Sequence, residues 1–190
     1  MAKRVLIIAT NGFEQSELTE PRKLLEAAGI KTTLASPTPG KIRGWNHGEW
    51  GLSVTVDKDI EEEFDALLLP GGQMNPDILR MDDRVIELIE NFDADSKPIA
   101  AICHAPWLLI EADLVHGRTV TGWPSLHTDL ENAGADVVDE EVVVDGNLIT
   151  SRKPEDIPAF TKALIEALEA DDADDAETHD AAEADESEVM

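Results

Sequence analysis

The sequence has a single cysteine, Cys103, among 190 residues. That scarcity excludes an internal disulfide framework and any multi-thiolate zinc site, so whatever value the residue has lies in its reactivity. Basic residues are also few: 15 Lys and Arg stand against 41 Asp and Glu, a formal charge of −26. Such a chain repels phosphate backbones and anionic lipid, so neither nucleic acid nor a membrane is expected as a partner. No apolar run approaches the roughly 20 residues of a membrane span, and the chain passes from Met1-Ala2-Lys3-Arg4 directly into a short apolar segment, which reads as a cytoplasmic protein. GxGxxG and P-loop patterns are lacking, so NAD and ATP are not expected, and the sequence implies no cofactor. His47 and His127 are too scattered to predict a metal site. No internal repeat is visible.

What the chain has in abundance is acid. Ten acids and no Lys or Arg fall in residues 171–190, leaving 31 acids against 15 bases in the rest, still −16. The simplest account is a solvated charge coat, suited to a salt-rich cytoplasm where a Debye length of about 3 Å at 1 M removes most self-repulsion; a halophilic source fits. The last 20 residues carry charge with almost nothing to bury and read as an acidic disordered tail behind one domain over residues 1–170.

Within that domain, short apolar runs alternate with stretches of helical period, the pattern of an α/β fold with a mostly parallel sheet. Strands are predicted at 5–9, 31–35, 66–69 and 98–102; residues 36–51, rich in Gly, Pro and Trp, read as a loop or a small hairpin excursion, after which 52–56 alternates like an edge strand. Glu141–Asp145 and Leu148–Ser151 flank Gly146-Asn147 as a hairpin. Helices are predicted over 14–28, with Leu18, Leu24, Leu25 and Ala28 on its apolar side, then over 82–91, directly after the cysteine, over 125–133 and over 154–169.

In such sheets, sites form at the carboxyl ends of the strands. Three ends carry suggestive residues: Asn11-Gly12-Phe13-Glu14, Pro70-Gly71-Gly72 and Cys103-His104. Small Ala101 and Ala105 on either side of Cys103 give the spacing of a nucleophile elbow, and a following helix would favour a thiolate. A lone cysteine can equally be a small buried hydrophobe, and adjacency of His104 does not guarantee a bond to sulfur. The His104 N–H lies where an oxyanion donor would, and Gly71-Gly72 is either a plain turn or the source of a second donor.

The segment AAICHAPWLLI (100–110), with Phe13-Glu14, LPGG (69–72), TGWPSL (121–126), Asn132 to Gly134 and EVVVDGN (141–147), resembles the PfpI family. These are intracellular cysteine peptidase-like proteins with relatives among deglycases, glyoxalases and stress chaperones. The resemblance covers about residues 4–168. It implies a flavodoxin-like three-layer sandwich of the class I glutamine-amidotransferase-like type, with Cys103 as nucleophile. It also implies that Glu14 reaches the sulfur, partly buried, with a raised pKa so that it donates rather than repels. The Pro-acid-x-x-Arg stretch places Asp77 as the acid of a Cys-His-acid triad completed from a neighbouring subunit, hence a homo-oligomer, dimer or hexamer. Peptidase members commonly carry Glu there, and Asp77 can also be a surface turn acid. Three functions follow from the resemblance: a cysteine-dependent hydrolase of peptide or related acyl bonds, a glutathione-independent glyoxalase or protein deglycase acting on methylglyoxal or its adducts, and a non-catalytic redox-sensing stress chaperone.

Overall fold

The computed structural model describes residues 2–55 and 63–170. The acidic tail, and the last residue of the strand expected at 52–56, lie outside the described residues. Six strands form the central sheet: β1 (Arg4–Ile8), β2 (Lys31–Ala35), β5 (Ala66–Leu69), β6 (Ile99–Ile102), β9 (Val142–Asp145) and β10 (Leu148–Ser151). Their order is β2-β1-β5-β6-β10-β9, parallel except for the β9–β10 hairpin at one edge.

Alternation along the strands divides the core into two layers, because successive side chains leave opposite faces of a sheet. Leu6, Leu67, Leu69, Ile99 and Ala101 pack against α3 (Asp83–Ala94), α4 (Pro106–Glu111) and α5 (His127–Asn132). Val5, Ile7, Leu68, Ala100, Ile102 and Ile149 face α1 (Gln15–Ala27) and a C-terminal helix α6 over residues 157–170. The result is the three-layer α/β sandwich. On α1 the buried residues are Glu17, Leu18, Pro21 and Leu25, whereas Leu24 is exposed, so the helix is rotated toward a face that includes a carboxylate.

Residues 41–55 form a two-stranded hairpin, β3 (Lys41–Asn46) with β4 (Glu49–Thr55), in line with the hairpin alternative for residues 36–51; residues 52–55 belong to this separate pair rather than to an edge of the main sheet. It is clasped to the turn after β1: Arg43 accepts from the Gly12 N–H at 2.8 Å and the Trp45 N–H donates to the Phe13 carbonyl at 2.7 Å. A short helix, α2 (Met74–Leu79), follows Gly72, and a small pair, β7 (Thr119–Val120) with β8 (Asp136–Val137), lies apart from the main sheet. Because β1, β5 and β6 are neighbours, their carboxyl ends meet at the middle of one sheet edge.

Candidate active site

The loop after β6 turns sharply at Cys103, whose φ of 63° lies in the left-handed region that a non-glycine residue rarely adopts. The turn is held from several sides. The Cys103 N–H donates to the Ser151 carbonyl at 3.0 Å, the Trp123 N–H donates to the Cys103 carbonyl at 2.8 Å, and the Ala105 N–H reaches back to Ile102 at 3.0 Å. Ala101 and Ala105 are fully buried, which explains the need for small side chains there. Cys103 itself is 6% exposed.

The loop after β5 approaches so closely that a Cβ on Gly71 would sit 2.7 Å from Cys103 Cβ and 2.5 Å from Glu17 Oε2. Gly72, at φ +78°, is likewise pressed against the Gly12 carbonyl and the Glu14 N–H. These glycines let backbone N–H groups reach the sulfur: those of Gly72 and His104 both hydrogen-bond Cys103. The two expected donors therefore converge on the thiol.

The carboxyl beside the sulfur is Glu17, and this corrects the expectation for Glu14. Helix α1 begins at Gln15, so Glu14 is its N-cap with an extended backbone, and its side chain accepts from the Ser16 hydroxyl at 3.2 Å at the rim of the cavity. Glu17 is one turn further in, where a helical side chain leans back toward the helix start and the strand ends beneath it. It is fully buried, accepts from the Gly71 N–H at 2.9 Å and hydrogen-bonds the Cys103 thiol. Its second oxygen, Oε1, has no hydrogen-bond partner among the described residues. Burial, with a smaller push from the charge of Glu14, raises Glu17 to about 8, so it holds its proton at neutral pH.

Burial also pushes the Cys103 thiol up, and negative charge on Glu17 and the hydrogen bond to it add to that, while the Gly72 and His104 N–H groups pull it down. A thiolate favoured by the helix end is thus not what the structure presents: α4 has only six residues and opens on Pro106, which has no N–H to offer. With Glu17 protonated the charge repulsion is removed, and the carboxyl is then able to donate to an ionised sulfur.

His104 Nδ1 lies 3.3 Å from Sγ, so the neighbouring side chains do meet. Its ring stacks on Trp123 at 5.8 Å and meets the edge of Trp107 at 5.2 Å. Burial lowers its pKa, leaving a neutral imidazole at pH 7. Among the described residues no carboxylate bonds this ring. Asp77 is exposed on α2 and does not line the cavity, so one chain does not by itself assemble the expected triad.

A cavity of about 280 Å³ opens above the sulfur, and Trp45, His47, Trp123 and Glu155 help to line it. The sequence did not mark these four as site residues: Trp45 and His47 are delivered by the β3–β4 hairpin, Glu155 by the turn into α6. The signal for Glu17 was present, in a carboxylate spaced at i, i+4 and i+8 with the buried Pro21 and Leu25.

This constellation can be set beside known proteins. The sequence profile of the DJ-1/PfpI family matches residues 3–167. The chain belongs to the DJ-1/PfpI family. Protein/nucleic acid deglycase 2 of Escherichia coli (strain K12) is 43% identical over 175 residues, which is 90% of this chain and 100% of that protein. A Bacillus subtilis (strain 168) protein provisionally named the cysteine protease YraA is 42% identical over 172 residues, 88% of this chain and 99% of that one. The crystal structure of Drosophila melanogaster DJ-1beta superposes with a TM-score of 0.80 at 31% identity, covering 88% of this chain and 91% of that one. The family thus contains cysteine-dependent enzymes of more than one kind. Among the described residues, no helix is long and apolar enough to cross a membrane.

Proposed function

We propose that this protein is a cysteine-dependent enzyme that adds Cys103 to an activated carbonyl, acting on methylglyoxal or its adducts with protein amines. The observation that carries the reading is the Glu17–Cys103 pair: a buried carboxyl, protonated at neutral pH, in hydrogen-bond contact with a strained, nearly enclosed thiol. With free methylglyoxal, the thiolate adds to the aldehyde carbon and the new alkoxide is held by the Gly72 and His104 N–H groups. Glu17 supplies a proton to that oxygen, giving a hemithioacetal, and regains the proton that the thiol gave up, relayed by neutral His104, whose Nδ1 lies 3.3 Å from Sγ. Neutral His104 takes the proton from the carbon bonded to sulfur and returns it to the neighbouring carbon through an enediol, leaving a thioester. Water then releases the hydroxy acid and restores the thiol. The net reaction is addition of one water to the dicarbonyl, with no glutathione.

Hydrolysis of peptide or related acyl bonds is the second reading. Asp77 favours it, because it sits on α2 among exposed Met74, Ile78 and Met81, an apolar face that a second copy of the chain would cover in a homo-oligomer. There the same thiol and N–H groups would serve an acyl intermediate, with Asp77 orienting a partner's histidine.

A parallel assay separates the two. Purified protein is incubated with methylglyoxal, with a methylglyoxal-treated lysine peptide and with an untreated unstructured peptide. Lactate from the first two, abolished by Cys103→Ala, is expected. Turnover that survives Cys103→Ala, or cleavage of the untreated peptide alone, would overturn the proposal.

A further inference from the structure

The imidazole of His104 moves protons in the proposed reaction, yet no acid orients it. Among the described residues the ring has one hydrogen-bond partner, the thiol, with Nδ1 3.3 Å from Sγ. What else touches the ring is aromatic. Trp123 stacks on it nearly in parallel, with 22° between the planes and centroids 5.8 Å apart, and Trp107 crosses it at 62° and 5.2 Å. Turning the imidazole about χ2 away from sulfur breaks both contacts together, so the two tryptophans fix its plane while the bond to sulfur selects which edge faces Cys103. Both tryptophans are themselves anchored. The Trp107 Nε1–H donates to Asp129 on α5 at 2.9 Å, and the Arg80 guanidinium lies 5.8 Å from the Trp107 ring centre, held by bonds of 2.8 and 3.0 Å to Glu111 at the end of α4. The Trp123 N–H donates to the Cys103 carbonyl at 2.8 Å, which ties the stack to the elbow itself. Trp123 lines the cavity and Trp107 does not.

We propose that Trp107 and Trp123 are positioning residues that clamp the His104 ring toward Sγ, orienting it within one chain as the acid of a triad would. The inference rests on the preceding reading, in which His104 carries protons between sulfur and carbon. A clamp differs from an acid in its effect on the chemistry. A carboxylate beside the ring stabilises the imidazolium, whereas these walls hold the ring without placing a counter-charge next to it. That suits a neutral base that takes a proton from carbon and returns it to the neighbouring carbon. It also makes an acid from a second subunit dispensable for dicarbonyl turnover.

Three readouts test the clamp together: lactate formed from methylglyoxal, alkylation of Cys103 by iodoacetamide, and nitrogen NMR spectra of histidine-labelled protein at pH 7. Trp107→Leu should lower kcat about tenfold, the scale of one aromatic pair lost from a positioned base, with KM within about twofold because Trp107 lies outside the cavity. Trp107→Phe keeps an aromatic ring and should recover kcat to within about threefold of wild type. Asp129→Ala is an exposed change that frees the Trp107 ring without touching the core. It should lower kcat about threefold, the scale of one lost hydrogen bond, and it serves where Trp107→Leu does not fold. Trp123→Leu should lower kcat about tenfold, with a change in KM as well because Trp123 lines the cavity. In the spectra His104, assigned by its loss in His104→Ala, should hold one neutral tautomer in wild type and average between the two in Trp123→Leu and Asp129→Ala. Cys103 should be alkylated in every variant. A kcat indifferent to these changes, a fall in kcat with the His104 tautomer unmoved, or Trp107→Phe as impaired as Trp107→Leu would overturn the clamp. Wild type that forms no lactate, or a Cys103 inert to iodoacetamide, would overturn the preceding reading instead, and the spectra, which need no turnover, would still judge the clamp.

Discussion

Glu17 and Cys103 form a buried hydrogen-bonded pair at the meeting of α1 with the turn after β6, and Gly71 fastens the carboxyl from beneath with a 2.9 Å hydrogen bond. The pair shares protons, so the state of one group sets the chemistry of the other. Glu17→Gln keeps a donor to sulfur but has no proton to exchange. It should retain rapid alkylation of Cys103 by iodoacetamide while lowering turnover by about 100-fold, the scale of a lost general acid. Glu17→Leu leaves sulfur without that donor and should shift the pH profile of alkylation upward. Both are read from alkylation rates across pH, followed by mass.

The same carboxyl ties stability to pH. Its folded pKa, about 8, is raised from 4.5, so the native state binds more protons than the unfolded chain between those values. Stability from this group is therefore fully present below about pH 4.5 and is lost as pH rises through about 8, with a slope of at most about 1.4 kcal/mol per pH unit. Denaturant melts from pH 5 to 8.5 should show Glu17→Gln with a flatter dependence than wild type. Parallel curves for the two proteins would show that Glu17 ionises normally.

Gly71→Ala is expected to be severe for a single methyl group. The new Cβ would meet Glu17 Oε2 at 2.5 Å, the Ile102 carbonyl at 2.6 Å and Cys103 Cβ at 2.7 Å, two of which belong to the pair itself. Overpacking of this kind costs about 1–3 kcal/mol. Activity should fall further than stability, because the shift falls on the reacting atoms. Thermal melts and turnover of one preparation check both.

Asp77 separates the two chemistries. It lies outside the cavity of its own chain, so Asp77→Ala should leave dicarbonyl turnover within about twofold, the scale of an ordinary surface change. If peptide hydrolysis is present and lost in Asp77→Ala, mixing that variant with Cys103→Ala should restore part of it through hybrid assemblies.

Salt is the remaining lever. Residues 1–170 carry 31 acids against 15 bases, and dialysis from about 2 M to 0.05 M salt lengthens the Debye length several-fold. The melting temperature should drop on dialysis. An unchanged melt would detach the acidic surface from any adaptation to salt.

The periodicity of the sequence carried the sandwich because β1, β5, β6 and β10 are buried on both faces along most of their length and α1 and α5 stop just before Gly29 and Gly134. The elbow was legible for a similar reason: Ala101, Ala105 and the paired glycines are small where close approach leaves no room. Glu17 was not, because its role depends on where α1 starts. A start at Gln15 makes Glu14 the cap and aims Glu17 inward, and a shift of one residue in that boundary reassigns both. Trp45 and His47 could not be placed at the site from sequence because they reach it through the hairpin's backbone bonds to the turn after β1, a contact set by tertiary docking. The contact between His104 and the sulfur depends on the positive φ of Cys103, which no spacing reveals.

The central claim is that Glu17 keeps its proton at neutral pH beside a reactive Cys103. Infrared difference spectra of wild type minus Glu17→Gln, recorded from pH 5 to 9, observe that proton directly against the background of the other carboxylates. A protonated carboxyl band should be present at pH 7 and give way to carboxylate only near pH 8. A band that is already carboxylate at pH 6, titrating near 4.5, would contradict the account.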